Sequence, residues 1–325
     1  MPVVEADGIP THYEVAGAGP PLLMFSPGGF DSSGEAWRTV GVYRRLRLLD
    51  QLSRHYTCVT FDRRESGASG GRLERLSWSA YARQGLALLD HLGIDRAHVM
   101  GGCVGCSSAL QLAVEHPGRV RGAVLYSPAG GVHYRRKQHE RFRTHLAFAE
   151  RHGLAEVVRL ARATATGFTE DPRPGPWVRL LRADEDFARR LAATPLPRYL
   201  ALAEGSARLL FDRDTVPGPE PEDLLALDVP ALVVPGQDTS HAPSAARYLQ
   251  ECLPRAEYSE RPRRRADRGE RARAHPALPG RRGRGRGRRR RGRRRGRRRR
   301  GYLCRRWRHR WRRRARTRRD DGGTG

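Results

Sequence analysis

The chain has 325 residues, with 63 Lys+Arg against 35 Asp+Glu and a formal charge of +28. That charge is not spread evenly: residues 1–260 carry 31 basic and 31 acidic residues, and the whole excess lies beyond them. A neutral body of this length is large enough for one sizeable α/β domain and is no general nucleic-acid binder. Five cysteines without a paired framework exclude a disulfide-built scaffold, and no apolar run approaches the ~20 residues of a membrane span. The start of the chain has neither a basic segment nor an apolar one of the secretory type. A soluble cytoplasmic protein with reduced thiols is expected.

In chain order, Pro2–Glu5 and Thr11–Val15 flank an Asp-Gly turn and read as a hairpin. Pro21–Phe25 is a short continuous apolar run, expected as a strand buried on both faces. Ser26-Pro27-Gly28-Gly29-Phe30 follows as a loop rich in free backbone N–H groups. Trp37–Leu52 has helical spacing, Tyr56–Phe61 reads as a strand, and Leu76–Leu92 as a strong amphipathic helix. Ala97–Met100 is the next strand and Ser107–His116 the next helix. Val120–Tyr126 is another strand. This alternation predicts a mostly parallel, doubly wound sheet, with ligands bound at the carboxyl ends of its strands.

The organising stretch joins the 97–100 strand to the 107–116 helix. Gly101-x-Cys103-x-Gly105 has the spacing of a nucleophile elbow, with Cys in the place of Ser. A nucleophile on so tight a turn needs small neighbours two residues away on each side, and the following helix N-terminus favours a thiolate and an oxyanion. Cys103-x-x-Cys106 also has the spacing of a redox or metal pair. The metal reading lacks a second Cys or His pair, so no metal or cofactor is expected.

Residues 131 to about 225 are helix-rich, interrupted near Asp171–Pro176 and at Pro217–Pro221, and read as a helical cap over the site. Strand rhythm returns at Ala231–Val234, followed by Pro235-Gly236-Gln237-Asp238, a helix over Ser244–Leu253 and the start of a last strand at Arg255–Tyr258. The expected organisation is a core from 1–130 and 226–258, a cap from 131–225 and a tail from 259–325. Apolar cap residues such as Trp177, Phe187 and Phe211 suggest a hydrophobic small substrate.

Four pieces in this order resemble the α/β-hydrolase fold superfamily. They are the 26–30 loop, Phe61-Asp62-Arg63-Arg64-Glu65-Ser66-Gly67-Ala68-Ser69, the elbow, and the turn at Asp238. The Cys nucleophile is similar to that of dienelactone hydrolases. The resemblance implies Cys103 as nucleophile, the amides of Gly29 and Val104 as the oxyanion hole, and Asp238 as the acid that orients a histidine. Asp62 and Arg63 are expected to pin their own loop, and His98 and His116 to pack.

The family's base follows the last strand, where this chain has no histidine before His275. His241, three residues after Asp238, is the other candidate. From Arg281 to Arg319 the tail is an Arg/Gly tract with Tyr302, Trp307 and Trp311 interleaved. Its codons, shifted by one frame over 261–280, allow a loop and an amphipathic helix that would close the fold. This predicts a frame change after Tyr258 that disrupts the C-terminal strand and helix. Taken at face value, the tail is expected to be disordered and to bind nucleic acid non-specifically. The expected function is hydrolysis of a small apolar ester, lactone or C–C substrate through a Cys103 acyl-enzyme. A hydrolase-fold binding protein without its base, and nucleic-acid binding through the tail, are the alternatives. The sequence leaves the oligomeric state open.

Overall fold

The computed structural model describes residues 2–259. Expectations for the tail and for His275 therefore lie outside the described residues, apart from Ser259.

The opening hairpin, β1 (Val3–Ala6) and β2 (Ile9–Ala16), turns on Asp7 and Gly8, both with positive φ. β3 (Pro21–Phe25) and β4 (Thr57–Phe61) follow as short apolar strands. Between them, the helical spacing of Trp37–Leu52 does not produce one helix. It divides into α1 (Ala36–Thr39), α2 (Gly41–Leu46) and α3 (Leu48–Leu52). Val40 is extended and Arg47 is left-handed (φ 48°), so the backbone turns twice although the apolar period continues.

α4 (Trp78–His91) starts at Ser77, whose side chain accepts a hydrogen bond from the Ala80 amide. That cap satisfies one of the free N–H groups at the helix start. β5 (Ala97–Gly102), α5 (Gly105–Glu115) and β6 (Val120–Tyr126) form the central crossover. Five helices follow: α6 (Val132–Ala163), kinked at Gly153, α7 (Val178–Ala183), α8 (Glu185–Ala192), α9 (Leu196–Leu210) and α10 (Pro221–Ala226). β7 (Ala231–Val234), α11 (Pro243–Cys252) and the three-residue β8 (Ala256–Tyr258) complete the described part.

The strands form one sheet in the order β1-β2-β4-β3-β5-β6-β7-β8. β1–β2 and β2–β4 pair antiparallel, and the remaining pairings, from β4 through β3 to β8, are parallel. The order places β5 beside β6 and β6 beside β7, so the loops after these three strands open on the same edge.

Two apolar clusters divide the interior. One packs Val99, Leu125 and Val233 of the sheet against Leu88, Leu110 and Leu249 of the flanking helices. The other joins the helices between β6 and β7 to Phe30 after β3, Val104 after β5, and Trp78 and Tyr81 of α4. Between hairpin and sheet, Arg64 is almost fully buried and pairs with Glu65 (3.0 Å), Asp7 (3.4 Å) and Glu74. Among the described residues no helix is long and apolar enough to cross a membrane.

Candidate active site

Cys103 sits at the β5–α5 junction with φ 53°, a left-handed conformation that costs a non-glycine residue about 1 kcal/mol or more. The turn holds it there. Its amide donates to the Tyr126 carbonyl (3.1 Å), and its carbonyl accepts from Ala129 (3.2 Å) and Cys106 (3.2 Å). The two flanking glycines are required by close approach. A methyl at Gly101 would strike the Cys106 backbone, and one at Gly105 the Phe25 carbonyl. Cys106 faces the other way: it is fully buried, with its thiol on the Gly101 (3.2 Å) and Tyr126 (3.7 Å) carbonyls. The four described cysteines are unpaired thiols.

The turn after β7 brings Asp238 and His241 together. Asp238 Oδ1 accepts from the amides of Ser240 (2.9 Å) and His241 (3.1 Å), and both carboxylate oxygens lie 2.8 Å from His241 Nδ1. Gly236 leaves room for the His241 side chain, which a Cβ there would strike. The loop after β6 braces the same turn: Gly130 bridges to His241 and donates to the Ser240 carbonyl (3.1 Å).

Cys103 lies close enough to His241 to act on its ring. Nε2 is buried and closes no hydrogen bond of strict geometry with a described residue. Yet Cys103 acts on the ring as a hydrogen-bond partner and through its charge. Burial opposes the charged ring, but Cys103 first and Asp238 second outweigh it, lifting the His241 pKa to about 9. Asp238 is itself 63% exposed. Its partial desolvation disfavours the charge, but His241 and the Ser240 amide hold it below its usual range.

After β3, Gly28 (φ 124°) and Gly29 (φ 67°) form a loop that only glycine enters without strain. The amides of Gly29 and Val104 donate to no described residue.

The mostly parallel sheet thus carries Cys103 on the turn after β5 and the Asp238–His241 pair on the turn after β7. A protein-family profile described as "alpha/beta hydrolase fold" matches residues 21–260. The chain belongs to that family. A putative carbamate hydrolase, RutD, of Caulobacter vibrioides is 30% identical over 224 residues, covering 66% of this chain and 74% of its own. The dihydrolipoyllysine-residue acetyltransferase component of the acetoin cleaving system of Cupriavidus necator is 34% identical over 126 residues. That match covers 39% of this chain and spans only 31% of the relative. Among solved structures, a hydrolase from Pseudomonas aeruginosa PA01 shares the fold at TM-score 0.52 and 23% identity, over 79% of this chain and 88% of its own. The chain is accordingly a hydrolase of the α/β superfamily.

Other residues take positions in this hydrolase that spacing alone did not assign. Tyr134, one turn into α6, is buried against Phe211 (ring centroids 5.9 Å apart); burial, then the Cys103 charge, raises its pKa. Tyr43 donates to the Tyr126 carbonyl (3.1 Å) beneath the elbow. The only available signal for Tyr134 was an aromatic residue just after Gly130-Gly131. Trp177, Phe187 and Phe211 are all buried, Trp177 against Tyr199 and Phe211 edge-on to Phe30. His98 lies at the amino end of β5, where burial and then Arg121 lower its pKa to about 4. His116 follows the far end of α5, so neither histidine is at the site.

Proposed function

We propose that this hydrolase cuts a small apolar ester, lactone or related acyl substrate through a thioester on Cys103. The observation that carries the reading is the Asp238–His241 pair aimed at a cysteine held in a left-handed elbow. The raised His241 pKa places the proton on the ring at neutral pH. The sulfur attacks the substrate carbonyl carbon, and the carbonyl electron pair moves to oxygen, where the amides of Gly29 and Val104 receive it. Collapse expels the alkoxide, which takes the Nε2 proton. The ring, now neutral, removes a proton from water. That water attacks the thioester, releases the acid and returns the sulfur to its paired state. Asp238 keeps Nδ1 protonated and Nε2 directed inward.

The helices between β6 and β7 act as a cap in this reading. Phe30 contacts Phe142, Phe168 and Phe211 beside Cys103, an apolar lining that favours an uncharged, hydrophobic acyl group. The names of relatives agree with small carbonyl substrates. They include the carbamate hydrolase and a 2-hydroxy-6-oxo-6-phenylhexa-2,4-dienoate hydrolase of Comamonas testosteroni, 29% identical over 125 residues. The test is p-nitrophenyl ester hydrolysis by wild type and Cys103→Ala, with mass spectrometry of the trapped acyl adduct. Wild-type turnover with an adduct on Cys103 supports the reading. Equal background rates in the two proteins sink it.

A further inference from the structure

Two consecutive left-handed glycines are the least constrained backbone a loop can have. An oxyanion donor at Gly29 therefore needs external restraint, and all three carbonyls around it are held. The Gly28 carbonyl accepts from the Asp31 amide (3.1 Å). The Gly29 carbonyl accepts from Ser32 Oγ (2.8 Å) and Arg63 Nη1 (3.0 Å). The Phe30 carbonyl accepts from Ser66 Oγ (2.9 Å) and Arg63 Nη2 (3.4 Å). The Gly29 amide, in contrast, donates to no described residue.

Among the described residues, Arg63 is the one side chain that bridges two of these carbonyls. It is 7% exposed, and its guanidinium carbon lies 4.3 Å from the Tyr81 ring centroid, so the planar fork has little freedom. Its Nε is buried without a described partner beside a cavity of about 10 Å³ at the start of α5, bordered by Ser26, Val104 and Ser108. That is room for one water, which would tie Nε to the same end of the helix.

We propose that Arg63, besides shaping its own loop, is a positioning residue for the reaction. It clamps the Gly29 and Phe30 carbonyls so that the Gly29 amide points at the developing oxyanion. The inference rests on the acyl-enzyme reading above. It separates two reactions of the same sulfur. Acylation by p-nitrophenyl acetate develops an oxyanion, whereas alkylation by iodoacetamide displaces iodide at a saturated carbon and develops none.

In Arg63→Met, the acylation rate at saturating ester is expected to fall roughly ten- to a hundredfold. Alkylation, measured on the peptide bearing Cys103, stays within about twofold of wild type. Arg63→Lys, which keeps one donor, recovers part of the loss. Ser32→Ala removes the other donor to the Gly29 carbonyl and gives a smaller drop of the same kind, which decides the matter if Arg63→Met does not fold. Unchanged acylation in these variants, or alkylation that falls in parallel with it, overturns the clamp. A wild type that alkylates but never acylates overturns the underlying reading instead.

Discussion

Removing the Cys103 sulfur should release the His241 proton. Lifting an imidazolium from 6.5 to about 9 corresponds to about 3 kcal/mol of preference for the charged ring. Burial acts against that preference, and Cys103 is the larger of the two groups that overcome it, ahead of Asp238. In Cys103→Ala the desolvation remains while the main opposing contribution is gone. The ring should then lose its proton at least tenfold more readily, more than about one pH unit lower. The assay is an NMR titration of the histidine Cε1–H resonances in both proteins, with His241→Gln to assign the signal. A His241 that titrates within about half a pH unit of wild type would mean that the sulfur is not the ring's partner.

The same raised pKa makes stability depend on pH. The charged ring contributes in full below about 6.5, its ordinary value, and the contribution is lost as pH rises through about 9. Thermal melts should therefore show wild type losing its advantage over Cys103→Ala across that interval. Asp238→Asn should lower kcat by roughly 10²–10⁴-fold, because Nδ1 loses the carboxylate that fixes the ring; steady-state ester kinetics check this. Glu65→Gln leaves the buried Arg64 with one fewer carboxylate and should cost about 3 kcal/mol in urea unfolding. A variant as stable as wild type would show that Asp7 and Glu74 suffice.

Much of the strand–helix alternation was legible because the buried strands β3 to β7 are short runs dominated by apolar residues. The turn at Cys103 was legible for a geometric reason: at Gly101 and Gly105, two residues to either side, a Cβ would meet backbone. The breaks at Val40 and Arg47 were not, since apolar periodicity is blind to a change in φ. His241 could be named only as a neighbour of Asp238. Its approach to Cys103 depends on β5, β6 and β7 lying side by side, which no local pattern encodes. The left-handed backbone at Glu65 (φ 63°) was likewise hidden, since nothing in its residue type announces it. The reach of Arg63 from its own loop to Gly29 is tertiary and had no signature in spacing.

The acid and the histidine stand three residues apart on one turn, which changes what their pairing costs. A histidine from a distant segment must be brought to its carboxylate by closing a long loop, and that entropy grows with chain length. Here the contact closes within Asp238–His241, helped by the Ser240 and His241 amides on the same carboxylate. The ring's orientation is thus specified locally, and only its distance from Cys103 is left to the sheet. Loosening the core should impair the sulfur–imidazole approach before it disturbs the carboxylate–imidazole bond.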